Sequence, residues 1–186
     1  MARLMKSSKQ VLLFFLIMTV LCGIVYPAAV TAVAQAFFPA QANGGVITVT
    51  LKDGTKKAFG SERIAQEFTK PEYLIGRPAG VSNLSPVSRE QKKLVQERTD
   101  WWHALDPQNT ADIPMDLVTA SGSGADPNIS PEAAEYQVTR IAERRGLDED
   151  AVRKVINRYT TGRFLGFWGE PAVNVLKVNL ALDGLI

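Results

Sequence analysis

"VLLFFLIMTVLCGIVYPAAVTAVA", Val11 to Ala34, decides how the rest of this chain is read. No charged residue occurs from Gln10 to Leu51. As a helix the run would reach about 36 Å at roughly 1.5 Å per residue, enough to cross a hydrocarbon core of about 30 Å. One membrane-spanning helix is therefore expected, kinked at Pro27, a residue that spanning helices tolerate. A basic start, an apolar run and the A-x-A of Ala34 to Ala36 also suit a cleaved signal peptide. Secretory apolar regions usually span about 7 to 15 residues, however, and this one is longer. Cleavage near Ala36 would leave a secreted binding protein, and that alternative stays open.

Arg3, Lys6 and Lys9 precede the helix, and the next charge is Lys52. The positive-inside rule then keeps the N-terminus in the cytoplasm and sends the rest of the chain outward. The organisation expected is a cytoplasmic N-terminus over residues 1–10, a transmembrane helix over 11–34, a linker over 35–45 and an extracytoplasmic domain over 46–186. Removing those three cations from 21 Lys and Arg leaves 18 against 19 Asp and Glu, a net charge of about −1 outside. A nucleic-acid partner needs a basic footprint, so that class is excluded. Cys22, the only cysteine, sits inside the apolar run. It cannot close an intramolecular disulfide, Leu21 stands where a lipoprotein cleavage site needs a small residue, and the plain reading is a small packing residue.

In the outer domain, "VITVTLKDGTKKAF" alternates apolar and polar residues on both sides of Asp53-Gly54, a dipeptide favoured in tight two-residue turns, and predicts a hairpin. Ser61 is expected to cap a short helical piece carrying Ile64, Ala65 and Phe68. Glu72 to Pro86 is rich in Gly, Pro and Ser and reads as a loop. Ser88 with Gln91 forms a capping box, opening a helix to about Ala104. Ser130 with Pro131 starts a helix that Gly146 ends, and Asp148 caps another whose stripe is Val152, Val155, Ile156 and Tyr159. "VLKVNLALD" alternates strictly and predicts a half-buried strand. Strands at both ends with helices between make an α+β layer domain.

Catalytic templates mostly fail on inspection. There is no P-loop, and "GSGADP" cannot complete G-x-G-x-x-G because Pro127 stands at the third glycine. His103 is the only histidine, so a zinc site of three or four N or S ligands is excluded outside the membrane, and no other metal site is expected. A membrane-anchored hydrolase using Ser121 or Ser123 with His103 can be written, but nothing in the sequence orders those groups. The small-residue loop "ASGSGADPNISP" feeding a helix start is the kind of arrangement that binds anions. Arg77 and Arg163 are each more simply read as solvated or backbone-bound than as anion ligands.

Taken together, "YLIGRP", "DLVTASGSGADPNISPEAAEYQV", "TTGRFLGFWGEPAVNVLKVNLALD" and the N-terminal anchor resemble the C subunit of the Kdp potassium-transporting ATPase over nearly the whole chain. The resemblance implies a non-catalytic subunit of a bacterial inner-membrane pump, with one membrane helix and a periplasmic domain. Its partners would be a channel-like A subunit, a P-type B subunit that hydrolyses ATP, a small F subunit and membrane lipid. It would serve assembly and act as a catalytic chaperone raising the ATP affinity of the B subunit. It would hold no cofactor of its own, with ATP met through the complex. A nucleotide contact is implied through a glutamine near the serine-rich block, here Gln137, with Ser121 and Ser123. The charge-based topology pulls the other way, because it places Ser121 to Gln137 outside the cytoplasm, where ATP is scarce.

Overall fold

The computed structural model describes residues 2–81 and 83–186, with side chains from residue 8 onward. Arg3 and Lys6, two of the cations used to orient the helix, and Ser82 of the 72–86 loop lie outside the described side chains. The chain falls into two units, one ending at Gly45 and one running from Val46 to Ile186.

The first unit is helical: α1 (Ala2–Val20), a π-helical turn (Leu21–Val25), α2 (Tyr26–Phe37) and a short α3 (Pro39–Ala42). The π turn has a local cause. Pro27 has no N–H, and its ring displaces the carbonyl four residues back, at Gly23. One extra residue in the preceding turn relieves this, and the Tyr26 N–H donates five residues back to the Leu21 carbonyl. The kink expected at Pro27 thus takes the form of a π turn. The stretch Ser8–Phe37 has a mean hydropathy of 2.5 over its most apolar window, with none of that window buried, which makes it a candidate membrane span. The Thr19 hydroxyl donates to the Phe15 carbonyl (2.8 Å), so it presents no free donor to lipid. The helix passes Ala34 and runs on to Phe37.

The second unit is the expected mixture of helix and sheet. Strands β1 (Val46–Thr50) and β2 (Lys56–Ser61) pair antiparallel, Thr50 opposite Lys56. Their connection is longer than the two-residue turn expected. The Leu51 N–H donates to the Thr55 carbonyl (2.8 Å), with Gly54 at φ +81° inside. Asp53 Oδ1 accepts from the Thr55 N–H (2.9 Å) and hydroxyl (2.7 Å), and these bonds hold its carboxyl below the usual range. Ser61 starts no helix; its hydroxyl accepts from the Arg63 N–H (3.1 Å), and the chain continues irregularly.

Helix α4 (Arg89–Leu105) begins at the Ser88 cap, where the Gln91 N–H donates to the serine hydroxyl (3.1 Å), and α5 (Met115–Val118) follows. The helix expected from Pro131 to Gly146 is two, α6 (Pro131–Glu135) and α7 (Val138–Arg145). The break falls at Tyr136–Gln137, where the Gln137 N–H donates to Ala134 rather than to Ala133. Gly146 closes α7 at φ +63°, and α8 (Glu149–Arg158) starts at the Asp148 cap.

"VLKVNLALD" is not a strand. It forms α9 (Val175–Leu182), capped by Asn174, whose Oδ1 accepts from the Lys177 N–H (3.0 Å). A small antiparallel sheet completes the unit: β3 (Asn128–Ile129), β5 (Ala172–Asn174) and β4 (Thr160–Thr161), with β5 central. The core gathers Trp102 of α4, Leu117 of α5, Val138 and Ile141 of α7, Val152 of α8 and Val178 of α9 around Leu74 and Ile75.

Candidate functional site

The segment from Pro71 to Ile75, the first part of "YLIGRP" with its lead-in, turns through Pro71 and Glu72, where the Tyr73 N–H donates to the Lys70 carbonyl (3.1 Å), and enters the core at Leu74 and Ile75 without a strand partner. A buried peptide group left unpaired costs about as much as a lost hydrogen bond, so five residues without a ladder pose a problem. Side chains solve it. Arg140 Nη1 donates to the Pro71 carbonyl and to the Tyr73 carbonyl, the latter at 3.2 Å. Arg145 Nε donates to the Glu72 carbonyl (2.7 Å). Asn179 takes both groups of Leu74, its Oδ1 accepting from the N–H (2.8 Å) and its Nδ2 donating to the carbonyl (2.9 Å). Gln137 does the same for Ile75, at 2.8 Å and 3.0 Å. Five successive carbonyls are thus met by side chains of α7, of α9 and of the turn before α7. Gln137 and Asn179 each imitate one rung of a β-ladder.

The clasp is nearly closed on itself, with only Arg140 Nε left without a hydrogen-bond partner among its buried polar atoms. Gln137 is 0% exposed, and its Nε2 also donates to the Ala133 carbonyl (3.0 Å) while its Oε1 accepts from Arg140 Nη2 (2.7 Å). Arg140 lies with its guanidinium carbon 5.7 Å from the Trp102 ring centre. Burial brings its pKa down to about 10, with Asp106 pulling the other way, so it is charged at neutral pH. Arg145 extends the clamp by donating to the Leu182 carbonyl (2.8 Å) at the end of α9 and to Asp183 (2.8 Å).

Beyond the clasp the chain enters Gly76-Arg77-Pro78, which borders a pocket of about 510 Å³ lined by Phe68, Ile75, Arg77, Trp101, Leu117 and Gly124. Arg77 pairs with Asp116 (2.9 Å), whose other oxygen accepts from the Ser130 N–H (2.7 Å). Arg77 is thus engaged in an ion pair rather than simply solvated, and so is Arg163, which bonds Glu170 (2.7 Å).

The serine-glycine loop is built as a shaped turn. Ser121 Oγ accepts from the Gly124 N–H (3.1 Å), Ser123 Oγ accepts from the Ala125 N–H (3.2 Å), and the two hydroxyl oxygens lie 3.1 Å apart. Backbone bonds fasten it outward, from the Ala65 N–H to Ala125 (2.9 Å) and from the Gly80 N–H to Gly124 (3.1 Å). The N-cap of α6 is taken as well, since Ser130 Oγ accepts from the Ala133 N–H (3.1 Å). The two serines therefore meet each other, whereas Gln137 turns into the core towards Ile75. His103 is exposed and hydrogen-bonds neither serine. Among the described residues no group of three or more His, Cys, Asp and Glu could hold a metal ion.

Gly124 is the tight point of this loop. Its φ is +69°, and an added Cβ would sit 3.0 Å from the Gly80 carbonyl carbon and 3.0 Å from a Val81 methyl. Gly124→Ala should therefore destabilise the domain by about 1–3 kcal/mol. Gly122→Ala, with nothing within 4 Å of the new carbon, should stay within about 0.5 kcal/mol. Urea unfolding followed by tryptophan emission checks the pair.

The fold and site define a class: a chain with one candidate membrane helix and an α+β domain whose buried polar side chains serve its own backbone. Residues 8–184 match the family described as K+-transporting ATPase, c chain. The Listeria welshimeri protein named Potassium-transporting ATPase KdpC subunit is 54% identical over 188 residues, covering 100% of this chain and 99% of that one. The Clostridium perfringens protein of the same name is 47% identical over 201 residues, covering 98% and 99%, and that of Sorangium cellulosum 46% over 188 residues, covering 95% and 96%. The chain belongs to the KdpC family, the c chain of the K+-transporting ATPase.

Proposed function

We propose that this KdpC subunit is an accessory, non-catalytic member of a high-affinity, ATP-driven potassium uptake pump. Its helix lies in the inner membrane against a channel-like A subunit and beside a small F subunit, with its N-terminus in the cytoplasm. Its domain, Val46 to Ile186, stands in the periplasm and steadies the external face of the complex, while ATP is hydrolysed on the P-type B subunit. One observation carries this reading. The buried polar side chains of the described residues, Gln137, Arg140 and Asn179, are committed to holding residues 71–75. What remains for function is surface and anchor.

A nucleotide contact at Gln137, with Ser121 and Ser123, would require the clasp to open and the loop to give up its own bonds. The effect on ATP affinity is therefore assigned to the complex, as a catalytic chaperone of the B subunit, and not to a site on this chain. Expressing the pump without this chain should abolish potassium-stimulated ATPase and let the remaining subunits separate in mild detergent. An intact and fully active pump lacking the chain would overturn the proposal. Titrating ATP into the full chain in detergent should give no saturable binding.

A further inference from the structure

The segment Arg163–Glu170, "RFLGFWGE", leaves the small sheet as a tight hairpin whose tip is exposed among the described residues. The Phe164 N–H donates to the Trp168 carbonyl (2.8 Å) and the Trp168 N–H to the Phe164 carbonyl (2.9 Å). Arg163 and Glu170 close its base as an ion pair at 2.7 Å, so charge is absent from Phe164 to Gly169. Phe164, Leu165, Phe167 and Trp168 stand between 69 and 72% exposed, with Phe167 and Trp168 stacked at 6.5 Å. Leu165 adopts φ +52°, a left-handed conformation that costs a non-glycine residue roughly 1–2 kcal/mol. An exposed apolar cluster held in a strained turn marks a contact surface.

We propose that this tip inserts into the headgroup boundary of the bilayer that the chain's own helix spans. Its chemistry fits that layer. Trp concentrates at membrane interfaces, where its ring body is buried while the indole N–H stays wet, with Phe and Leu beside it as the inserted apolar bodies, and the Trp168 indole has no hydrogen-bond partner among the described residues. Its size also favours lipid. Four side chains at that exposure offer about 500 Å², short of the roughly 800 Å² per partner that a stable protein interface buries. Reach is available too. The domain follows directly, at Val46, on the unit that carries the candidate membrane helix, so lipid stays at high effective concentration around it.

The proposal rests on the helix being a retained anchor, and the experiment separates the two. The full chain is reconstituted in phosphatidylcholine vesicles containing phosphatidylglycerol, with and without lipids spin-labelled near the headgroup, and Trp168 emission is taken as the difference from Trp168→Phe. The expected result is Trp168 emission shifted to shorter wavelength and losing most of its intensity to the shallow label. In Phe164→Ser/Phe167→Ser it should return to the solvent-exposed position, with circular dichroism unchanged. Chain that floats with the vesicles while Trp168 emits as in water overturns insertion and leaves the anchor standing. Chain that does not float overturns both. Trp168 emission that shifts only when the other pump subunits are co-reconstituted, without quenching by lipid, also overturns insertion and places the tip on protein.

Discussion

Gln137→Ala should lower the unfolding midpoint of the α+β domain by about 10 °C, with or without nucleotide present. The substitution leaves the N–H and carbonyl of Ile75 buried with no partner, at about 1–3 kcal/mol for each group. It also removes the amide oxygen on which Arg140 rests (2.7 Å), so a buried guanidinium loses one of its three acceptors. Together these amount to roughly 3–5 kcal/mol, and at about 2–4 °C per kcal/mol for a domain of this size the shift is large. Gln137→Glu isolates half of the clasp. A carboxylate still accepts from Ile75 and Arg140 but cannot donate to the Ile75 and Ala133 carbonyls, and its loss should be intermediate. Asn179→Ala should cost a similar amount, and the double variant should cost less than the sum, because both side chains hold one dipeptide. Thermal unfolding of the full chain in detergent, followed by tryptophan emission, measures all four. A ligand contact predicts the reverse pattern for Gln137→Ala: an unchanged midpoint and a changed affinity for ATP.

The helices of this domain were legible in the sequence where a local signal carried them. Ser88 with Gln91, Ser130 with Pro131, Gly146 and Asp148 each act within three residues of themselves, and each stands where the pattern puts it. "VLKVNLALD" failed because α9 is enclosed on nearly every side, with Val175, Leu176, Val178, Asn179 and Leu180 all buried. A helix buried all round loses the polar face that would reveal its period, and the alternation that remains imitates a strand. The usable cue was Asn174, three residues before Lys177, in the position of an N-cap. The clasp was illegible for a different reason. Gln137 and Asn179 bond to backbone 62 and 105 residues away, and nothing local states which peptide groups a buried amide will serve. The resemblance singled out Gln137 as important, and the geometry supplies a reason that owes nothing to nucleotide.

Trp102→Ala should cost the domain about 4 kcal/mol, while Trp101→Ala, one residue away, should cost less than about 1 kcal/mol. The two rings sit edge to face at 5.1 Å, yet Trp101 is 41% exposed and Trp102 is 1% exposed. Truncating Trp102 removes a full ring from the core, and it leaves the Leu117 carbonyl without the indole N–H that donates to it at 3.0 Å. It also strips the face against which Tyr136 packs edge-on (5.8 Å, 85°) and over which Arg140 lies. The effect should therefore spread to the clasp, because Arg140 needs that ring to stay over the Pro71 and Tyr73 carbonyls. Urea denaturation of the full chain in detergent, followed by far-ultraviolet circular dichroism, separates the two tryptophans without depending on their own emission. Equal losses in both variants would mean that Trp101, which lines the pocket beside Arg77, is buried by something the isolated chain already supplies. A small loss in Trp102→Ala would mean that the clasp holds residues 71–75 without its aromatic support.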